Sequence, residues 1–227
     1  MSSVRFSSKY SKKHFLETYF GFTCNTKRQK CYHGGMTKRI VFTALFAALT
    51  AVCGFISIPV PGTPIPIVIQ NMMVVLDGLL LGPLWGFCAV LVFILCGLIG
   101  LPVFSGGTAG IAKLMSPTGG FIIGYAFAAL LAGLIARKPD NRRNIVRLVI
   151  AALCGFVIMY VPGVIHFMRS LNKTFSETMA LCVIPYIPGD LIKMVVSILI
   201  CIPLRKTVAT FVFQEEVTKQ EASKEEK

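Results

Sequence analysis

Six long apolar runs, each bounded by glycine, proline or charge, constrain this chain more than any other feature of its sequence. They cover residues 40–58, 67–81, 84–101, 119–136, 145–167 and 189–204. About 20 helical residues cross the roughly 30 Å hydrocarbon core of a bilayer. In lipid only a helix or a closed barrel satisfies its own backbone polar groups. The runs therefore predict an all-α integral membrane protein with six transmembrane helices. The second and sixth are short, which implies tilt or an end covered by protein rather than by lipid. Composition agrees, since 15% of the 227 residues are charged against about 25% in soluble domains. An ordinary soluble fold, a disordered chain and a secreted disulfide scaffold are excluded.

The net charge of +13 gains meaning from its location. Arg5, Lys9, Lys12, Lys13, Lys27, Arg28 and Lys30 precede Met36, and Lys38 and Arg39 adjoin the first run. Arg137, Lys138, Arg142, Arg143 and Arg147 fill the connection before the fifth run, and Arg205-Lys206 closes the sixth. With six spans these clusters all fall on one side, as the positive-inside rule demands of the cytoplasmic face. Both termini are then cytoplasmic and the basic charge reports topology in a multi-pass cell-membrane protein, not a nucleic-acid partner. Three regions are expected: a basic extension over 1–35, a membrane domain over 36–206 and a charged cytoplasmic tail over 207–227. The extension lacks the apolar stretch and cleavage site of a secretory signal; it reads either as a disordered tail or as a stretch upstream of a true start at Met36.

The connections are as informative as the runs. Prolines at 59, 61, 64 and 66 bar helix continuation and predict a rigid extended turn between the first two runs. Leu81-Gly82-Pro83-Leu84 is a tight hairpin, and residues 102–118 form a long glycine-rich apolar loop. Cys53, Cys88, Cys96, Cys154, Cys182 and Cys201 are scattered singly along the runs, as small core hydrophobes are. Cys24, Cys31 and His33 lack a second ligand pair, so no metal site is expected.

Ionisable groups inside membrane segments cost about 2.5–3.5 kcal/mol each on the insertion scale, which makes every one a functional candidate. Asp77, Lys113, Asp190 and Lys193 are the candidates here. Asp190 and Lys193, three residues apart after Pro188-Gly189, share a helix face. They serve either a ligand or a mutual salt bridge. Gln70 and Asn71 place two amides in an apolar helix, where they bond either to other helices or to a ligand. Gly106, Gly107 and Gly110 allow close approach of backbone to a ligand, or a turn; no Walker motif accompanies them. Ala44/Ala48 and Ala47/Ala51 form two small-xxx-small registers on adjoining faces of the first helix, one suited to packing inside the bundle and one to another protein's helix. His166, Arg169 and Tyr160 read as satisfied interface residues. Nothing resembling a catalytic triad or a zinc motif occurs, so the chain is expected to be no enzyme and to carry no cofactor.

Taken in order, Pro64-Ile65-Pro66-Ile67-Val68-Ile69-Gln70-Asn71, Leu79-Leu80-Leu81-Gly82-Pro83, Gly100-Leu101-Pro102-Val103-Phe104, Gly106-Gly107, Pro117-Thr118-Gly119-Gly120-Phe121 and Pro188-Gly189-Asp190-x-x-Lys193 resemble the BioY family, the biotin-specific substrate-binding (S) component of energy-coupling factor (ECF) transporters. The resemblance covers residues 36–206. It implies an S-component bundle that takes up biotin and associates with a transmembrane coupling subunit and two ATPase subunits, which supply ATP hydrolysis. By resemblance Asp190 and Lys193 contact biotin, Thr108 occupies the polar position of the glycine loop, and Ala44, Ala47, Ala48 and Ala51 form the alanine motif facing the coupling subunit. The resulting expectation is that Lys193 meets the carboxylate or a ureido oxygen, Asp190 accepts a ureido N–H or orients Lys193, and Asn71 and Thr108 bond the remaining polar atoms, with Gln70, Gly106 and Gly107 beside them. The family pattern has a small residue where Asp77 stands. An S-component for a different vitamin and a non-transport structural membrane protein are the alternatives.

Overall fold

The computed structural model describes residues 29–60, 65–137 and 145–212. Expectations for residues 1–28, 61–64, 138–144 and 213–227 lie outside the described residues, and with them much of the proline turn and the basic connection. Two compact units are distinguished, Met1–Thr37 and Lys38–Lys227. The described part of the first is helical; everything below concerns the second.

Helices dominate. They are α1 (Gln29–Cys53), α2 (Gln70–Leu81), α3 (Pro83–Ile99), the short α4 (Ile111–Met115), α5 (Gly119–Ala136), α6 (Ile145–Leu171), α7 (Phe175–Cys182) and α8 (Ile187–Val212), the last entered through a 3-10 turn at Ile184–Tyr186. Among the described residues four stretches are long and apolar enough to cross a membrane: Met36–Cys53, Gly119–Ala136, Ile145–Leu171 and Phe175–Val208. Gln70–Leu81 and Pro83–Ile99 are apolar but shorter. At 1.5 Å per residue the 12 residues of α2 rise only about 18 Å.

The structure corrects the expected boundaries in several places. The first run does not stay helical to Ile58: α1 ends at Cys53, and Ser57–Ile58 (β1) pairs antiparallel with Ile67–Val68 (β2). The second run accordingly becomes helical only at Gln70, and the fold is not purely α. Gly54 sits at this break because a Cβ there would lie 2.6 Å from both Gln70 Nε2 and the Val103 carbonyl oxygen. The last helix is longer than expected at both ends, and the connection before it contains α7. Thr174 and Glu177 start α7 with a reciprocal capping box.

Turn chemistry explains the α2–α3 hairpin. Gly82 adopts φ 83°, and Pro83 takes the first position of α3, where a missing N–H costs nothing. Gly100, at φ 115°, closes α3 in the left-handed conformation. The glycine loop then folds back, and fully buried Phe104 packs so closely that a Cβ on Gly97 would lie 2.2 Å from its ring.

Small residues hold the centre together. On α5 a Cβ at Gly124 would approach the Met159 carbonyl oxygen of α6 to 2.5 Å, and on α2 one at Gly78 would reach the Ala129 carbonyl oxygen at 2.3 Å. Such backbone proximity is how helices gain packing energy without a hydrophobic drive between them. Val74, Val75, Leu79 and Leu80 of α2 are fully buried among α3, α5, α6 and α8. This central position is why a helix too short to contact much lipid still carries an apolar sequence.

Candidate ligand-binding site

The polar groups that interrupt the apolar helices converge at one hollow. Its walls come from β2, the start of α2, the glycine loop with α4, the first half of α5, the middle of α6 and the start of α8. Its empty volume, open mouth included, is about 610 Å³. Ile65, Ile67, Val68, Ile122 and Met159 supply apolar surface, and Phe121, Tyr125, Tyr160 and Tyr186 supply rings. Phe121 and Tyr160 meet edge to face with centroids 5.8 Å apart, a favoured aromatic arrangement.

Asp190 organises the polar side of the hollow. It stands in the first turn of α8, where the positive helix end favours a carboxylate. Its Oδ1 accepts from Lys193 Nζ at 3.0 Å and from Asn71 Nδ2 at 3.1 Å, while its Oδ2 accepts from the Tyr160 hydroxyl. Three elements, α2, α6 and α8, are thus tied to one carboxylate that is only 8% exposed. A buried ion pair of this kind contributes little net stability, but removing one partner strands a charge. The cluster can offer a ligand both acceptors and donors in fixed positions.

Gln70 lines the same hollow but is committed to the scaffold. Its Nε2 donates to the Thr50 carbonyl of α1 at 3.1 Å and to the Val103 carbonyl of the glycine loop at 3.0 Å. Asn71 is turned to the polar cluster instead: its Nδ2 donates to Asp190 and its Oδ1 accepts the adjacent Met72 N–H at 3.0 Å. Gly106, Gly107 and Thr108 stand apart, forming a turn in which both glycines have positive φ and Thr108 Oγ1 donates to the Ser105 carbonyl at 3.0 Å. Of that turn Ser105 lines the hollow. His166 bonds the Ser116 carbonyl at 3.0 Å, the interface role expected for it.

The structure adds Tyr160 to the site and places the ionisable candidate Lys113 at its wall. Tyr160 was expected to be an interface residue; the missed signal was a phenol in an apolar run, which needs a partner for its hydroxyl. Lys113 reaches the hollow from α4, and partial burial lowers its pKa below the ordinary 10.5. Asp77 does not belong here. It is fully buried between α2 and α1, where its Oδ2 accepts from Thr50 Oγ1 at 2.9 Å and its Oδ1 has no hydrogen-bond partner among the described residues.

The two alanine registers of α1 part company. Ala47 is buried and Ala51 half-buried, whereas Ala44 and Ala48 are exposed beside Ile40, Val41, Leu45, Leu49 and Val52.

These features define a polytopic helical membrane protein with a small polar cluster set in an apolar, aromatic-lined hollow. The chain belongs to the BioY family, whose model matches residues 24–210. It is similar to a probable biotin transporter BioY of Pyrococcus horikoshii, 36% identical over 163 residues, which are 72% of this chain and 93% of that protein. It is also 35% identical over 175 residues to the biotin transporter BioY of Rhizobium etli, covering 72% and 91% of the two chains. Among solved structures it resembles the S-component for biotin from an ECF-type ABC transporter, with TM-score 0.70, 32% identity and coverage of 81% of this chain and 95% of that one.

Proposed function

We propose that this chain is the biotin-binding S-component of an ECF-type ABC transporter and serves biotin uptake. The observation that carries this is the coincidence of BioY membership with a carboxylate, Asp190, that gathers Lys193, Asn71 and Tyr160 at a mostly apolar hollow. Biotin joins an apolar thiophane ring to a ureido group with two N–H donors and a carbonyl acceptor. Asp190 accepts a ureido N–H, Asn71 completes the ureido contacts, and the aromatic walls receive the ring. Gln70 holds the wall in place, while Gly106, Gly107 and Thr108 form a turn that closes over the ligand. Such a site needs few directed polar groups.

Around the site, six helices cross the cell membrane with both termini cytoplasmic. Short α2 counts among the six because both its ends are buried in protein, and α3, with 17 residues, lies at the lower limit of a spanning length. Residues 36–206 form the membrane domain between the basic extension 1–35 and the charged tail 207–227. The exposed Ala44/Ala48 face of α1 meets the transmembrane coupling subunit, with Ala47 and Ala51 packing inward, and two ATPase subunits supply the energy. No cofactor takes part beyond the transported biotin.

Equilibrium binding of labelled biotin to the detergent-purified protein tests this reading. Tight one-to-one binding is expected, weakened at least about tenfold by Asp190→Asn, the size of effect a lost charge-assisted hydrogen bond produces. Wild-type affinity in both Asp190→Asn and Lys193→Ala would sink the site assignment. Competition by riboflavin or thiamine instead of biotin would point to a different vitamin.

A further inference from the structure

Two ammonium groups, Lys113 and Lys193, and one carboxylate, Asp190, line the hollow. Lys193 is spoken for, because its Nζ lies 3.0 Å from Asp190 Oδ1 and both side chains are nearly buried. Lys113 differs. It is half-buried, and among the described residues its ammonium makes no hydrogen bond or ion pair. Asp190 already accepts from three donors, which leaves about one of a carboxylate's four acceptor sites for a ligand N–H, and its single negative charge is matched by Lys193, so the hollow is left one positive charge in excess.

The backbone under Lys113 is held firmly. The Ser116 hydroxyl donates to its carbonyl at 2.6 Å, and its own N–H donates to the Gly110 carbonyl at 3.2 Å. The end of α4 is seated on the start of α5, where Gly119 leaves so little room that a Cβ would fall 1.7 Å from the Leu114 carbonyl oxygen. The lysine thus rises from a fixed base at the wall of the hollow, and its flexible stem leaves the ammonium able to meet a ligand there.

We infer that Lys113 is the residue that receives the carboxylate of the ligand, and that Lys193 remains the partner of Asp190. This rests on the biotin reading and deepens it: the ureido end is read by the Asp190 cluster on α8, α2 and α6, and the anionic tail by the glycine-loop helix on the opposite side of the sequence. The hollow then selects a ligand with a neutral hydrogen-bonding head and one negative charge, and the bound complex is neutral.

The test compares biotin with biotinamide, whose tail is uncharged, on the full-length protein in detergent. Wild type is expected to prefer biotin by about ten- to a hundredfold, the range of a hydrogen-bonded ion pair shielded from water. Lys113→Met is expected to bring that ratio close to one, and Lys113→Arg to keep most of it. Lys193→Met is expected to weaken both ligands in parallel and leave the ratio standing. Because each ratio is measured within one variant, the fraction of active protein cancels. A Lys113→Met protein that still prefers biotin as wild type does overturns the inference and makes Lys113 a residue that merely reaches for water. A ratio lost in Lys193→Met but kept in Lys113→Met transfers the role to Lys193 and overturns it equally. Wild-type protein that binds neither compound overturns the biotin reading, and this inference with it.

Discussion

Small residues recur every four positions on both α5 and α1, with opposite fates. On α5 the series Gly120, Gly124, Ala128, Ala132 and Ala136 is buried throughout and receives α6 at close range, while Ala129 and Gly133 on the adjoining row receive α2 and the start of α3 at backbone distance. On α1 the series Ala44 and Ala48 faces outward, amid exposed isoleucine, leucine and valine. Packing between helices in lipid depends on close approach, so a small-residue stripe marks a place where another helix can come near. It does not say whose helix that is. Within this chain α5 lies at the centre and its stripe is satisfied internally; α1 lies at the margin and its outer stripe is exposed.

The comparison breaks most readily at its buried end. Gly124→Val would put side-chain atoms where the Met159 carbonyl stands, and backbone cannot yield as a flexible side chain can. A loss of about 3 kcal/mol or more is expected, at the upper end of overpacking effects. A thermal midpoint followed by size-exclusion chromatography reads it, and an unshifted midpoint would mean that α5 and α6 are not in such close contact.

Next comes the link that holds α1 to the bundle. Thr50→Val removes the hydroxyl that bonds Oδ2 of buried Asp77 and is expected to cost about 1–3 kcal/mol, the penalty for orphaning that oxygen as well. Adding Asp77→Leu should return most of that loss, since replacing both partners by apolar groups of similar shape is nearly neutral. A double mutant no more stable than Thr50→Val alone would mean that the pair does not couple.

The smallest stability effect belongs to the outer stripe. Ala48→Leu is expected to change stability by no more than about 0.5 kcal/mol, as exposed substitutions do, and to leave biotin binding intact. Loss of co-purification with the coupling subunit is its expected effect. Ala47→Leu, one residue away on the buried side, should instead lower stability. Equal behaviour of the two variants would erase the distinction between the faces.

Legibility differed in the same way between fold and site. The α5 boundaries follow from composition alone, because Gly119 and Arg137 bracket an unbroken apolar run. The break between α1 and β1 does not, since residues 54–58 are as apolar as the helix before them. It takes the tertiary approach of Gln70 and the Val103 carbonyl at Gly54 to end the helix there. For the site, Asp190 and Lys193 could be paired from their spacing, being one helical turn apart. Tyr160 and Asn71 could not be added to them, since they lie 30 and 119 residues away in the chain and meet only when α2, α6 and α8 assemble.

By itself, then, the sequence determined what depends on local chemistry: apolar runs that must be helical in lipid, turns set by Gly82-Pro83 and Gly100, the spacing of Asp190 and Lys193, and the ordered motifs of the BioY family. Tertiary structure decided what depends on the meeting of distant segments: which alanine face is buried, which amide of the Gln70-Asn71 pair ties the scaffold and which meets Asp190, and which lysine of the hollow keeps an unmatched charge. The physical reason is that a side chain's type fixes what it can bond to, while only the packed fold fixes which partners are within reach and which have already been taken.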